Sequence, residues 1–358
     1  MCRRFTLVLA LVVLFASAVY GAGGGSTAGE PVAISAKSAV LMVADTGEVV
    51  FEKAAHEPRP MASTTKIMTA LLACEAKTPD RTILVTDALS KTEGTSMGLK
   101  AGEKVTIQAL VNGAMLASGN DAANAIAMVL GGSMDAFAEK MNARAHQLGM
   151  NDTQFVTPSG LDTEEHHSTA YDMALLGRAA IANQALARVC ATKSAKVMAG
   201  ERTIYLTNHN RLLREYPGCI GLKTGFTKKA GRCLVTAARR KGITLVCVTL
   251  SAPNDWSDHK KMLDYGFAQM EKRAGEKGEF SLAIVGGEVE TVALECLQVP
   301  ILPKDTVAEY IALMRPFEYA PITKGKIVGE LQYYANGKLV CSLPLITTKE
   351  VRGKKSEV

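Results

Sequence analysis

Met61-Ala62-Ser63-Thr64-Thr65-Lys66-Ile67-Met68-Thr69 is the stretch on which the reading of this chain turns. A proline-punctuated loop, Pro58-Arg59-Pro60, leads into it. Apolar positions Ile67, Leu71, Leu72 and Cys74 follow, at the spacing of a buried helix. Ser63 and Lys66 stand three residues apart, so on a helix they share a face and the amine reaches the hydroxyl. A helix start also offers free N–H groups and partial positive charge, which suits an oxyanion. A serine hydroxyl is a weak nucleophile without a base. A lysine serves as that base only where burial or nearby cations lower its pKa.

Taken alone, Ser63 reads more simply as a helix cap. Ser-x-x-Lys arises about once by chance in a chain this long, and Ser257-Asp258-His259-Lys260 repeats it within a polar stretch. Two further motifs follow in order, Ser118-Gly119-Asn120 and Lys223-Thr224-Gly225. Each fits one requirement of acyl transfer. Ser118 is placed to relay a proton and Asn120 to hold a substrate amide. Lys223 supplies the cation that would depress the pKa of Lys66 and attract an anionic substrate end. Thr224 offers a hydrogen bond to a carboxylate. Gly225, without a side chain, lets a strand edge approach the substrate backbone. Lys223 by itself reads as a solvated charge, but three motifs in order, each at an element boundary, outweigh that.

Around these motifs the chain divides. Arg3 and Arg4 precede an apolar run, Phe5 to Val19, and small residues follow Tyr20. Residues 1–21 therefore read as a signal peptide, and 22–34 as a flexible lead-in. The expected location is outside the cytoplasm, in the cell envelope or secreted. Two apolar runs around Asp45-Thr46-Gly47 predict a hairpin. Helices are expected after Thr106 to Leu116, from Asp121, from Ser133 to Gly149, and from Tyr171 behind Ser168 or Thr169. Strands are expected at Cys219–Phe226, Arg232–Ala238 and Ile243–Leu250, then a closing helix over 255–272. Residues 35–272 form the expected catalytic domain, 273–279 a linker, 280–348 a small β-rich domain and 349–358 a polar tail. Turns are expected at Lys326–Gly329 and Asn336-Gly337.

The 358 residues are 47% hydrophobic and 21% charged, an ordinary globular composition. The net charge of +6 comes with no strongly basic block. Nucleic acid is not suggested, while an anionic wall or peripheral membrane association is compatible. Cys74, Cys190, Cys219, Cys233, Cys247, Cys296 and Cys341 remain beyond the leader, an odd number. None forms Cys-x-x-Cys and no His-x-x-x-His occurs, so no metal or other cofactor is expected.

The sequence resembles the low-molecular-mass penicillin-binding D-alanyl-D-alanine carboxypeptidases, whose type of motif set this is. The likeness extends through Ser118-Gly119-Asn120-Asp121-Ala122-Ala123, His167-Ser168-Thr169-Ala170-Tyr171-Asp172-Met173-Ala174, and Lys223-Thr224-Gly225-Phe226-Thr227 with Ala230-Gly231. It spans roughly residues 35–345. The resemblance implies a mixed α/β (α+β) fold. An antiparallel sheet is flanked by helices in a β-lactamase/transpeptidase-like domain, and a β-rich domain follows. It implies acylation of Ser63 by the penultimate D-alanine carbonyl of peptidoglycan stem peptides, with Lys66 as base and Ser118 as relay. Asn120, Lys223, Thr224 and Gly225 would bind substrate, the backbone N–H groups of Ser63 and Phe226 would form the oxyanion hole, and β-lactam antibiotics would mimic the substrate.

Two departures stand out. Met61 replaces the family's usual proline, and Ser251-Ala252-Pro253-Asn254-Asp255 lacks the arginine that some members place near the substrate carboxylate. The C-terminal tail is also short and polar where many members carry an amphipathic helix. A serine β-lactamase is the nearest rival and would need a deacylating carboxylate such as Glu164 or Glu165. A penicillin-binding module without turnover is the non-enzymatic one. A lone Asp45-Thr46-Gly47 lacks the second aspartate that an aspartic protease needs.

Overall fold

The computed structural model describes residues 32–273 and 279–354. The signal peptide, most of the lead-in, the core of the linker and the last four residues lie outside the described residues. Two compact units share the chain, with the division at Glu271/Lys272.

The first unit is built on a five-stranded antiparallel sheet. Its strands in spatial order are Val49–Lys53, Ser38–Val43, Ile243–Leu250, Gly231–Arg240 and Cys219–Thr227. Every residue of Ser38–Val43 and Ile243–Leu250 is buried. The near-continuous apolar run Ile243-Thr244-Leu245-Val246-Cys247-Val248 follows from that, because helices cover both faces. Helix Ala170–Ala182 packs on one face and helix Asp255–Gln269 on the other. Strand alternation assigns the faces. Val40, Met42, Cys233, Val235, Val246 and Val248 join the core shared with the helices of residues 66–191.

Three of those helices begin at hydroxyl caps. Thr106, Ser133 and Thr169 accept from the backbone N–H groups of Ala109, Ala136 and Asp172. Helix Asn120–Gly131 starts after Gly119, and Asp121 does not cap it. The carboxylate of Asp121 instead turns to the neighbouring loop. The closing helix stops at Gln269, and Met270–Lys272 is extended. The hairpin Ser194–Ala199/Arg202–Thr207 lies in a stretch to which the sequence reading assigns no element. Its strands are half exposed and short, so their apolar signal is weak.

The second unit carries a six-stranded sheet. Its spatial order is Ala308–Met314, Ile327–Ala335, Lys338–Thr347, Thr291–Glu295, Phe280–Val285 and Phe317–Tyr319, with only the last pair parallel. Asn336-Gly337 forms the expected tight turn, both residues at positive φ. Lys326–Gly329 is not a turn. Ile327 begins a strand, and the chain reverses earlier, through Gly325. Val351, within the expected polar tail, is buried and bridges to Ile322.

Phe137 is fully buried against the helical core. Phe137→Ala should cost about 3–5 kcal/mol of stability, read as a lowered urea midpoint of the helical circular-dichroism signal.

Candidate active site

Ser63 lies in a 3-10 turn, Ala62–Thr65, which runs directly into helix Lys66–Glu75. The nucleophile candidate therefore precedes the α-helix by a tight turn, where the sequence suggested the helix start itself. Ala62 sits at φ +48°, a left-handed conformation rare for alanine and a mark of a backbone held in place by its surroundings. Gly160 supplies that hold. A Cβ there would stand 2.0 Å from the Ala62 carbonyl oxygen, so only glycine lets this loop press on the turn.

Lys66 is 0% exposed, and its amine has three neighbours. Nζ lies 2.8 Å from Ser63 Oγ, 2.7 Å from Asn120 Oδ1 and 2.6 Å from the Ser159 carbonyl oxygen. The Asn120 orientation follows from its Nδ2, which donates to the Glu93 carbonyl at 2.7 Å. Two of the three neighbours only accept. A neutral amine has two N–H bonds and one lone pair. It donates to both carbonyls and turns the lone pair on the Ser63 hydroxyl proton. Burial pushes the Lys66 pKa well below the usual lysine range, the Lys223 charge lowers it further, and Asp121 opposes both. The electrostatics favour the neutral amine, and the three contacts accommodate it.

Lys223 is 1% exposed, donates to the Thr224 carbonyl at 2.9 Å, and is pushed down to about 7 by burial. Its strand, Cys219–Thr227, is the edge of the sheet. Gly225 faces the nucleophile turn: a Cβ there would lie 3.0 Å from Ser63 N and 3.1 Å from Met61 O. The missing side chain thus admits the nucleophile turn, where the sequence suggested a substrate backbone. It also sets the strand that carries Phe226 against Ser63 N. Thr224 lies on the opposite strand face from Gly225, half-buried, and the Phe226 side chain is exposed. Ser118 is 7% exposed, at φ +58°, between helices Ile107–Leu116 and Asn120–Gly131.

Several site residues were not visible in the sequence. Asp121, wholly buried, accepts from the backbone N–H groups of Met97, Gly98, Leu99 and Ala122 and from Ser96 Oγ. It ties the loop 96–99 to the helix that presents Asn120. His166 accepts from Val156 N through Nδ1 and so donates through Nε2 to Thr65 Oγ1, 2.8 Å away. Burial holds its pKa down at about 4, which keeps that tautomer neutral. The Ser159 carbonyl has no side-chain signature. Glu164 and Glu165 are exposed, and neither fits a deacylating base. Ser257 is exposed and Lys260 pairs with Glu215 at 2.8 Å, so the second Ser-x-x-Lys is unrelated to the site.

A sequence model described as D-alanyl-D-alanine carboxypeptidase matches residues 25–254. The chain belongs to the D-alanyl-D-alanine carboxypeptidase family. Residues 288–352 match a second model, the C-terminal domain of penicillin-binding protein 5. Among curated relatives, the carboxypeptidase DacF of Bacillus subtilis is 32% identical over 97% of this chain and 94% of its own length. DacB2 of Mycobacterium tuberculosis is 37% identical over 63% of this chain and 79% of its own. Penicillin-binding protein 5 of Haemophilus influenzae superposes with a TM-score of 0.74 at 26% identity, covering 90% of this chain and 99% of that one. Membership makes this carboxypeptidase-family chain a serine peptidase hydrolase with the mixed α+β fold described above.

Gly160→Ala should move the Ala62–Ser63 turn by the better part of an ångström. Acylation by benzylpenicillin should then slow about 100-fold, measured by stopped-flow quenching.

Proposed function

We propose that this chain is an exported serine carboxypeptidase. It would remove the terminal D-alanine from peptidoglycan pentapeptide stems through a Ser63 acyl enzyme. The observation that carries the reading is the buried Lys66 amine, 2.8 Å from Ser63 Oγ and donating to two carbonyls.

Neutral Lys66 takes the Ser63 proton as Oγ attacks the penultimate D-alanine carbonyl carbon. The N–H groups of Ser63 and Phe226 receive the oxyanion, whose charge develops only at that moment. On collapse the C–N bond breaks, and the proton returns through Lys66 and Ser118 to the departing D-alanine nitrogen. Water, deprotonated by the same lysine, then cleaves the ester and restores Ser63. Asn120 holds the substrate amide, while Lys223 and Thr224 meet the terminal carboxylate. A β-lactam follows the first half of this path, but its leaving nitrogen stays tethered to the acyl group, so the ester persists. The basic, short apolar leader supports export to the cell envelope or beyond, where stem peptides lie.

Ser63→Ala should abolish both the penicillin adduct in mass spectrometry and D-alanine release from diacetyl-lysyl-D-alanyl-D-alanine. Retained release would refute the mechanism. The pH profile offers a second check. The base must be neutral, so the second-order acylation rate rises with pH through the Lys66 pKa. The Lys223 charge disfavours the Lys66 ammonium, and removing it raises that pKa. In Lys223→Gln the rising limb should move to higher pH, and a limb that stays or moves lower contradicts the assigned role.

A further inference from the structure

Thr224 is uncharged, and Lys223, with its pKa near 7, is only partly protonated at neutral pH. A substrate that ends in a carboxylate calls for a permanent cation as well. The segment Ser251–Asp255 provides none, but the neighbouring strand does.

Arg232 pairs directly with Phe226 across the two strands, and Thr224 pairs with Leu234. Alternation therefore puts Arg232, Thr224 and Phe226 on one face of the sheet, the face away from the nucleophile turn. Thr224 and Arg232 are diagonal neighbours, about 7–8 Å apart at the backbone, within reach of a long side chain. Arg232 Nε is 3.0 Å from Asp255 Oδ1, a carboxylate only 3% exposed, and the Arg232 side chain remains 43% exposed. Its guanidinium carbon stands 5.8 Å from the centroid of the Trp256 ring. The anchor takes Nε, and among the described residues the outer NH2 groups have no protein partner. Arg211 reaches the same ring at 5.4 Å. With Lys260, these cations line a cavity of about 430 Å³. Glu215 pairs with both Arg211 and Lys260, at 2.7 and 2.8 Å, so Arg232 is the cation left to meet an anion. The Arg211 segment passes the catalytic side as well: His209 N donates to the Leu116 carbonyl, two residues before Ser118.

We infer that Arg232, held by Asp255 and Trp256, binds the substrate's terminal carboxylate beside Thr224 and thereby selects peptides with a free C-terminus. This rests on the proposed function. A planar guanidinium fixed at Nε presents two parallel N–H groups, the geometry that matches a carboxylate.

The test uses the full chain and two probes: an acyl-D-alanyl thioester of thioglycolate, and the same thioester with the glycolate as its primary amide. Wild type should prefer the carboxylate. Arg232→Gln should lower kcat/KM for the carboxylate probe about 10- to 100-fold and leave the amide within about twofold, erasing the preference. Arg232→Lys keeps a point charge without the fork and should retain part of it. Parallel loss on both probes, or an unchanged preference, overturns the inference. If Arg232→Gln does not fold, the carboxylate-to-amide ratio of Arg232→Lys decides instead: a fall of severalfold supports the role and an unchanged ratio overturns it. Labelling of wild-type Ser63 separates the two readings. A wild type that is acylated but indifferent to the carboxylate overturns the arginine's role alone. A wild type acylated by neither probe overturns the proposed function with it.

Discussion

The removal of one lysine amine from water organises the catalytic unit. A buried ammonium is costly and the Lys223 charge adds to the cost, so the Lys66 pKa falls despite the opposing charge of Asp121. That converts a poor base into an effective one at neutral pH, and the same burial demands partners for its remaining polar atoms. Asn120 and the Ser159 carbonyl meet that demand. These partners come from the second motif and from the loop before His166, and so the position of the amine depends on three separate parts of the chain.

The supports of those parts share a logic. Asp121 spends its acceptor capacity on the loop 96–99 and thereby fixes the helix that begins at Asn120. His166, kept neutral by burial, joins the loop 156–157 to Thr65 in the nucleophile turn. Gly160 and Gly225 press on the turn from two sides where any side chain would push it away. None of these four residues needs to touch substrate to matter. Together they hold Ser63 against the strand edge, where a displacement of about 1 Å would cost acyl transfer about 100-fold.

The edge strand then divides the work between its faces. Lys223 and Gly225 lie on the face toward the nucleophile turn, while Thr224 lies on the opposite face. A cation on the second face, Arg232, is kept permanent and half-exposed, whereas the one on the first face is buried and titrates near neutrality. One side thus tunes the base, and the other is suited to gripping an anion.

Much of this is legible in the sequence. Caps at Thr106, Ser133 and Thr169, the buried strand runs, the Asn336-Gly337 turn and the three ordered motifs are local signals, carried by residues close in sequence. The hairpin at Ser194–Thr207, the end of the closing helix at Gln269 and the misplaced turn at Lys326–Gly329 were not, because weak or exposed segments take their form from what packs beside them. The sequence by itself determined which residue types were present for acyl transfer, and in what order. Only the tertiary structure decided the protonation of Lys66, the identity of its carbonyl partners and the face on which Arg232 emerges. Those depend on desolvation and strand register, which couple residues far apart in the chain, as Lys66 and Lys223 are, 157 positions from each other.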